Sequence, residues 1–420
     1  MLRDWLPEYV ARYGPLSPEL LRDVQALLAC QTPAMGGRAE ACACGFTDFY
    51  WASCHKRGCS TCPGVVQARW VAARLERMLP AQHLHCVLTL PQDLRPLVRE
   101  NRRALYGLLM TSAATAVRER ALAALGGDGA GARLAFTTVL HTWKARLLEH
   151  PHVHVVLAEG GFVPARDGQP ARWVQPPPGE CFLPPDRALA HAFRDRLLLG
   201  LEGLRRRGRL RFAGRAAPLA EDQRWDALLA RLRDPRFYWH VYAKRELSEA
   251  QGFEYLGNYA ARVGLSDARI LSYDGVSVTL ATKHGPILLT ALELVRRALS
   301  HHLPRGFQRL RHHGLYHGKS RQHLTAAQGL LAAQSAAAAD AALPRPGLTL
   351  APQATFQEIA RARWKWDPDR CPVCDRPGLV QTQLRSGATD QDVGRATALA
   401  LRGASMLRAR ELAGLPPPET

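Results

Sequence analysis

His150-Pro151-His152-Val153-His154-Val155-Val156 is the stretch on which the fold turns. Beyond the proline, imidazoles alternate with valines at the period of a β-strand. His152 and His154 therefore share one face, about 6.5 to 7 Å apart along the chain, close enough to reach one metal ion. Val153, Val155, Val156 and Leu157 set the pair in an otherwise buried sheet, where uncoordinated imidazoles would be costly. Working outward, a second strand is expected over residues 134–140, and the short link containing Trp143 and Pro151 predicts an antiparallel hairpin. That hairpin brings His141 beside the pair. The resulting His-x10-His-x-His set offers three nitrogen ligands with coordination positions left open, as a metal that polarises a phosphodiester oxygen requires. His150 falls outside the alternation and reads as a surface residue or one behind the ligands. The competing reading is chance: a His-x-His pair among sixteen histidines that is merely polar surface.

Further out, the apolar run at residues 85–90 reads as a strand stopped by Pro91. Helices are expected over residues 1–29, about 94–125, 187–204, 248–263 and 289–302, with a strand at 239–243 and a small hairpin at 172–174. A strand pair at 269–273 and 277–281 turns at Asp274-Gly275. Strands interleaved with long helices, with antiparallel hairpins among them, predict an α+β fold. Three regions are expected: residues 1–80, helical and then cysteine-rich; 81–325, a catalytic core with a basic insertion at about 160–235; and 326–420, rich in alanine and proline. Beyond residue 379 no pattern demands a packed core.

The chain has 420 residues and a formal charge of +19. Such an excess of Lys and Arg points to a polyanionic partner, because neutralising phosphates releases condensed counterions. Nucleic acid leads. No apolar stretch is long enough to cross a membrane, and no basic amphipathic helix or lipidation motif supports a lipid surface, so a cytoplasmic, nucleoid-associated protein is expected. Two basic patches stand out, one with Arg205, Arg206, Arg207, Arg209, Arg211 and Arg215, the other with Arg305, Arg309, Arg311, Lys319 and Arg321. They suit a single-strand groove in which aromatic rings stack on bases, against the plainer reading of a solvated face.

In Tyr255-Leu256-Gly257-Asn258-Tyr259 the tyrosines are four apart on an expected helix, so both hydroxyls project from one face. Two equivalent nucleophiles suit a two-step strand transfer, and the alternative is a packing face. A phenol titrates near pH 10 and needs a neighbouring cation to attack as phenolate; Lys244, Arg262 and the metal are the candidates. Six of the ten cysteines lie between Cys30 and Cys62, and Cys371-Pro372-Val373-Cys374 forms a knuckle-like pair. Clustering in a chain without a secretion signal means metal rather than disulfides. For the Cys371/Cys374 pair two readings stand: it completes a site with residues distant in sequence, or it binds nothing.

Taken in order, several segments resemble the two-tyrosine, His-hydrophobe-His (HUH) transposases of the insertion-sequence ninety-one group, which includes the common-region elements. They are residues 30–63, 85–91, 140–143, 150–161, 241–244, 255–266 and 306–314. The resemblance implies an antiparallel-sheet HUH endonuclease core preceded by a small zinc-binding domain. It also implies rolling-circle transposition: a tyrosine attacks a DNA phosphate, forms a 5'-phosphotyrosine bond and frees a 3'-hydroxyl. Carried onto this chain, the nucleophiles are Tyr255 and Tyr259 and the metal ligands His152 and His154. His141 is placed third by spacing, and a similar three-histidine arrangement occurs in conjugative relaxases.

The family implies Mg²⁺ or Mn²⁺ at the histidines, and an all-imidazole set favours Mn²⁺. It also implies structural Zn²⁺ at the cysteines and recognition of the element's single-stranded or hairpin DNA ends. The cysteine pattern departs from the family's, reading Cys42-x-Cys44 for Cys-x-x-Cys and Gly58 for a histidine. Cys42, Cys44, Cys59 and Cys62 are expected as ligands, with Cys54 as competitor. The alternatives are a replication initiator or relaxase sharing the same chemistry, or a catalytically inactive zinc-containing repressor. Target sequence, order of attack and oligomeric state stay open.

Overall fold

The computed structural model describes residues 1–56, 59, 62, 77–144, 146–177, 182–183, 187–247, 265–337, 355–361 and 367–412. In chain order the strands are β1 (Gly37–Ala41), β2 (Thr47–Trp51), β3 (His83–Thr89), β4 (Ala135–Trp143), β5 (Glu149–Ala158), β6 (Gly161–Val163), β7 (Arg172–Val174), β8 (Val241–Leu247), β9 (Ile270–Tyr273), β10 (Ser277–Leu280), β11 (Ile287–Thr290), β12 (Leu310–Gly314) and β13 (Val380–Leu384). Five of them form the central sheet, in order β12-β4-β5-β3-β8, with every neighbouring pair antiparallel. The fold is α+β.

Alternation along these strands splits the sheet into two unlike faces. Leu84, Cys86 and Leu88 of β3, Phe136 and Leu140 of β4, and Val153, Val155 and Leu157 of β5 join one large core with the helices Arg102–Ala124 and Arg187–Arg206. Each such side chain contributes on the order of 1.5–3 kcal/mol, so this face holds the sheet together. The opposite face carries His85, Val87 and Thr89 of β3, Val139 and His141 of β4, and His152 and His154 of β5, matched across the ladders. One end of that face is closed by a smaller core in which Ala135 and Ala158 meet Leu324, Ala327 and Leu331 of the helix Arg321–Ala337.

The β4–β5 hairpin is tight: Lys144 donates its backbone N–H to Leu148, and Leu147 adopts a left-handed φ of 55°. Its register shifts between His141 and Trp143, where β5 carries the extra residue at His150-Pro151. Proline has no N–H to give to a ladder, so an irregularity there is expected.

Two expectations are corrected. The long helix over 94–125 is broken: Arg95–Glu100 and Arg102–Ala124 meet at Asn101, whose side-chain amide donates to the carbonyls of Leu97 and Arg211 and accepts from the Arg211 N–H. The region past residue 379 is packed: β13 pairs with β1 in a three-stranded sheet of order β13-β1-β2, and the helix Asp390–Leu412 buries Ala396, Ala400 and Ala404. The Asp274-Gly275 turn is where it was expected, with Asp274 Oδ1 accepting from the N–H groups of Val276 and Ser277. Among the described residues no helix is long and apolar enough to cross a membrane.

Candidate metal centres and nucleic-acid interface

Pairing of β4 with β5 sets His141 directly opposite His152, and Val139 opposite His154. The three imidazoles converge, with ring centroids 4.5 Å apart for His141 and His154, 4.8 Å for His152 and His154, and 5.4 Å for His141 and His152. One ligand nitrogen from each lies within 4.8 Å of the others. All three are buried.

Their orientations are held from behind. His152 Nδ1 lies 2.6 Å from the His150 carbonyl, which can only accept, so the tautomer is set with Nε2 as the ligating nitrogen. His150 thus serves through its backbone. His154 Nδ1 meets His85 Nε2 at 2.9 Å, the two rings stacked; the tautomer of His154 that ligates through Nε2 donates this hydrogen bond to His85. His141 stacks on Trp143 at 5.2 Å. Burial lowers the pKa of His152 and takes His154 well below the usual range, with the neighbouring His141, His152 and His85 adding to the effect. His85 is lowered to about 4 by burial and then by His152. Neutral imidazole is the form that binds a metal, so the donor set suits a cation at neutral pH.

His85 is the residue that sequence reasoning passed over. It was visible only as part of a strand; the β3–β5 register is what puts it on the face of His152 and His154. Lys244 occupies the β8 position opposite His85 in register. Tyr255, Tyr259 and Arg262 lie outside the described residues.

Eight of the described cysteines form two clusters. Cys30, Cys54, Cys59 and Cys62 make one; Cys42, Cys44, Cys371 and Cys374 make the other. The expected grouping of Cys42 and Cys44 with Cys59 and Cys62 is therefore corrected: Cys54 and Cys30 complete the first set. The β1–β2 turn carries Cys42 and Cys44 away to the second. Sulfur separations in the first cluster are 3.3 Å for Cys30–Cys62, 3.6 Å for Cys30–Cys59 and 3.8 Å for Cys54–Cys62. Zinc–thiolate bonds of about 2.3 Å in a tetrahedron require sulfurs about 3.8 Å apart, whereas a disulfide requires about 2.05 Å. Burial, first among the causes, raises the Cys30 and Cys54 thiol pKa values.

A cleft of about 1080 Å³ is lined by Cys30 and Cys59 of the first cluster, by Trp143, whose ring stacks on His141, and by His301, Arg22, Arg305, Phe307 and Arg309. Acidic residues also line it, and one of them, Asp23, pairs with Lys56 at 2.8 Å. Arg309 thus sits in the cleft. Arg311 does not share the histidine face: opposite Thr138, it donates to Thr111 Oγ1 and lies over the Phe307 ring. Arg205 is committed elsewhere, over the Trp225 ring at 4.6 Å and paired with Asp222 at 2.7 Å. Arg206 and Arg207 are exposed at the end of a helix in the layer behind the sheet.

Residues 135–323 match the family model described as "Putative transposase", and residues 1–90 match the model of the transposase zinc-binding domain. The chain is 32% identical over 394 residues to the "Putative transposase y4qJ" of Sinorhizobium fredii, covering 91% of this chain and 93% of that relative. It belongs to the insertion-sequence ninety-one family of transposases. A second relative is the transposase for insertion sequence element IS801 of Pseudomonas savastanoi pv. phaseolicola, 24% identical over 400 residues, with 88% of this chain and 86% of the relative covered. No solved structure gives a significant match. The first of these models takes in β4, β5 and β12, and the zinc-binding model takes in the whole first cysteine cluster, whose donors fit structural Zn²⁺, together with Cys42 and Cys44. Cys371 and Cys374 lie beyond both.

Proposed function

We propose that this chain nicks and rejoins single-stranded DNA at the ends of a mobile element, through a tyrosine nucleophile and a 5'-phosphotyrosine intermediate. The observation that carries the reading is the convergence of His141, His152 and His154 on one face of an antiparallel sheet, in a member of a transposase family. His141, His152 and His154 would hold a divalent cation, Mn²⁺ or Mg²⁺, which would supply Lewis acidity for the scissile phosphate. Nitrogen donors favour Mn²⁺ of the two.

Tyr255 or Tyr259 attacks phosphorus through its phenolic oxygen; the new O–P bond forms as the bond to the 3' oxygen breaks, and the phenolic proton ends on the departing 3'-hydroxyl. Lys244, in the strand that leads into the tyrosine segment, lowers the cost of the phenolate. Rejoining is the reverse, a 3'-hydroxyl attacking the phosphotyrosine, and the second tyrosine allows a second cut before the first is resolved. His85 and the His150 carbonyl keep the ligating imidazoles oriented. The cleft with Arg22, Arg305 and Trp143 offers charge and a stacking surface to a single strand.

The test is an oligonucleotide bearing the element's end, incubated with protein and Mn²⁺ and run on a denaturing gel. A covalent adduct is expected, weakened by Tyr255→Phe or Tyr259→Phe and abolished by both. An adduct that survives the double change puts the nucleophile elsewhere. Tight binding with no adduct at any end leaves the repressor reading instead.

A further inference from the structure

Cys42 and Cys44 lie within the residues that the zinc-binding family model matches, yet they cluster with Cys371 and Cys374, which lie far beyond it, and not with Cys30, Cys54, Cys59 and Cys62. Two hairpin turns supply them. In the β1–β2 turn, Cys42 exchanges backbone hydrogen bonds around Gly45, which takes a left-handed φ of 96°. In the other, the Cys371 N–H donates to Arg376 and its carbonyl accepts from Asp375, so the chain doubles back on itself. Sulfurs from the two turns meet at 3.7 Å for Cys42–Cys374 and 3.6 Å for Cys44–Cys371. These separations match a tetrahedral thiolate site of about 3.8 Å and are far from a disulfide's.

What surrounds the sulfurs is a module with little apolar support. β1 pairs with β13 from Gly37–Leu384 to Ala41–Val380. The helix Asp390–Leu412 covers the pair, yet the side chains buried there are few and small, Ala39, Ala41, Leu384, Ala396, Ala400 and Ala404, with Trp51, Ala388 and Val393 partly buried. The approach is close: at Gly36, whose φ is 69°, a Cβ would stand 2.6 Å from the Leu384 carbonyl oxygen. A core this small does not hold strands from opposite ends of a chain without a further link. Four cysteines in ligand geometry, two from each partner, are such a link.

We propose that these four cysteines bind a second structural Zn²⁺, distinct from the amino-terminal one, and that this ion clasps residues 367–412 to the amino-terminal module. The zinc module is then a composite of both chain ends, with two zinc ions per chain.

The test uses the full chain. Zinc is counted by native mass spectrometry, and cysteines are footprinted with iodoacetamide before and after chelation. Two zinc ions per chain are expected, with Cys371 and Cys374 alkylated at least tenfold faster once the metal is stripped. The variant Cys371→Ser/Cys374→Ser should hold one zinc and be cut by protease within 367–412 while Cys30, Cys54, Cys59 and Cys62 stay protected. If that variant does not fold, the wild-type count and footprint decide alone. One zinc per wild-type chain, equal alkylation of Cys371 and Cys374 with and without chelator, or a disulfide-linked Cys371 peptide each overturns the proposal.

Discussion

The histidine centre and the cysteine module use metal-binding side chains for opposite ends. Around His141, His152 and His154 the sheet is held by a core running from Leu84 to Phe307, so the ligands are brought together by hydrogen-bonded ladders whether or not a cation is present. Around Cys42 and Cys374 the order is reversed: the apolar contacts are few, and the ligands themselves join the segments. A centre built on a pre-formed sheet can leave coordination positions open for substrate. One whose ligands replace a core must use all of them, and four thiolates close the tetrahedron.

That contrast predicts where metal loss costs the fold. The largest effect is expected for Cys30→Ser/Cys54→Ser. Structural zinc contributes about 10–16 kcal/mol of apparent binding energy in small modules, so residues 1–62 should become protease-sensitive while the central sheet resists. Equal resistance of both regions would break the comparison. Next comes His154→Ala, which should slow strand cleavage roughly 10³-fold, a barrier rise of about 4 kcal/mol, with circular dichroism unchanged. His85→Gln should be milder, weakening Mn²⁺ affinity about 10–100-fold, with cleavage restored at high Mn²⁺.

Acid offers a graded version of the same experiment. His83, hydrogen-bonded to the Ala81 carbonyl and the Tyr316 hydroxyl, is lowered from 6.5 to about 4 by burial. Below pH 6.5 the unfolded chain takes up this proton and the folded one does not. The stabilisation is therefore complete above pH 6.5 and is lost as pH falls toward 4, at about 1.4 kcal/mol per pH unit. Urea midpoints at pH 7 and pH 5 should converge in His83→Gln relative to the parent chain; an unchanged slope would show that His83 carries none of it. The smallest effect is expected at Arg205→Ala. Its guanidinium rests on Trp225 and pairs with Asp222, so about 1 kcal/mol of stability should go with single-strand affinity unaltered, whereas Arg305→Ala, at an exposed arginine of the cleft, should weaken binding in a fluorescence-anisotropy titration.

How far the sequence could be read follows the same division. The His-x10-His-x-His spacing was legible because one hairpin assembles it, and period-two alternation said which side chains share a face. His85 needed a third strand, and strand neighbours in space are not written in spacing. The cysteine grouping was illegible for a stronger reason: the partners of Cys42 and Cys44 lie more than three hundred residues away. Val380-Gln381-Thr382-Gln383-Leu384 is too short and polar to announce a strand. Charge was legible as a total but not by address, since Arg205 and Arg311 spend theirs on local partners. The tyrosine segment stays an expectation from pattern and resemblance.

The pairing of β1 with β13 also sets an order on biosynthesis. β1 leaves the ribosome early, but its edge partner follows only after residues 42–379 have been made, which at about 5–20 residues per second takes on the order of tens of seconds. Throughout that interval the strand presents an open hydrogen-bonding edge beside unligated thiols. The central sheet can fold in the meantime. Closure of the module thus waits until residue 384 has been made, and a product that stops short of it carries the histidine face without the β1–β13 pairing.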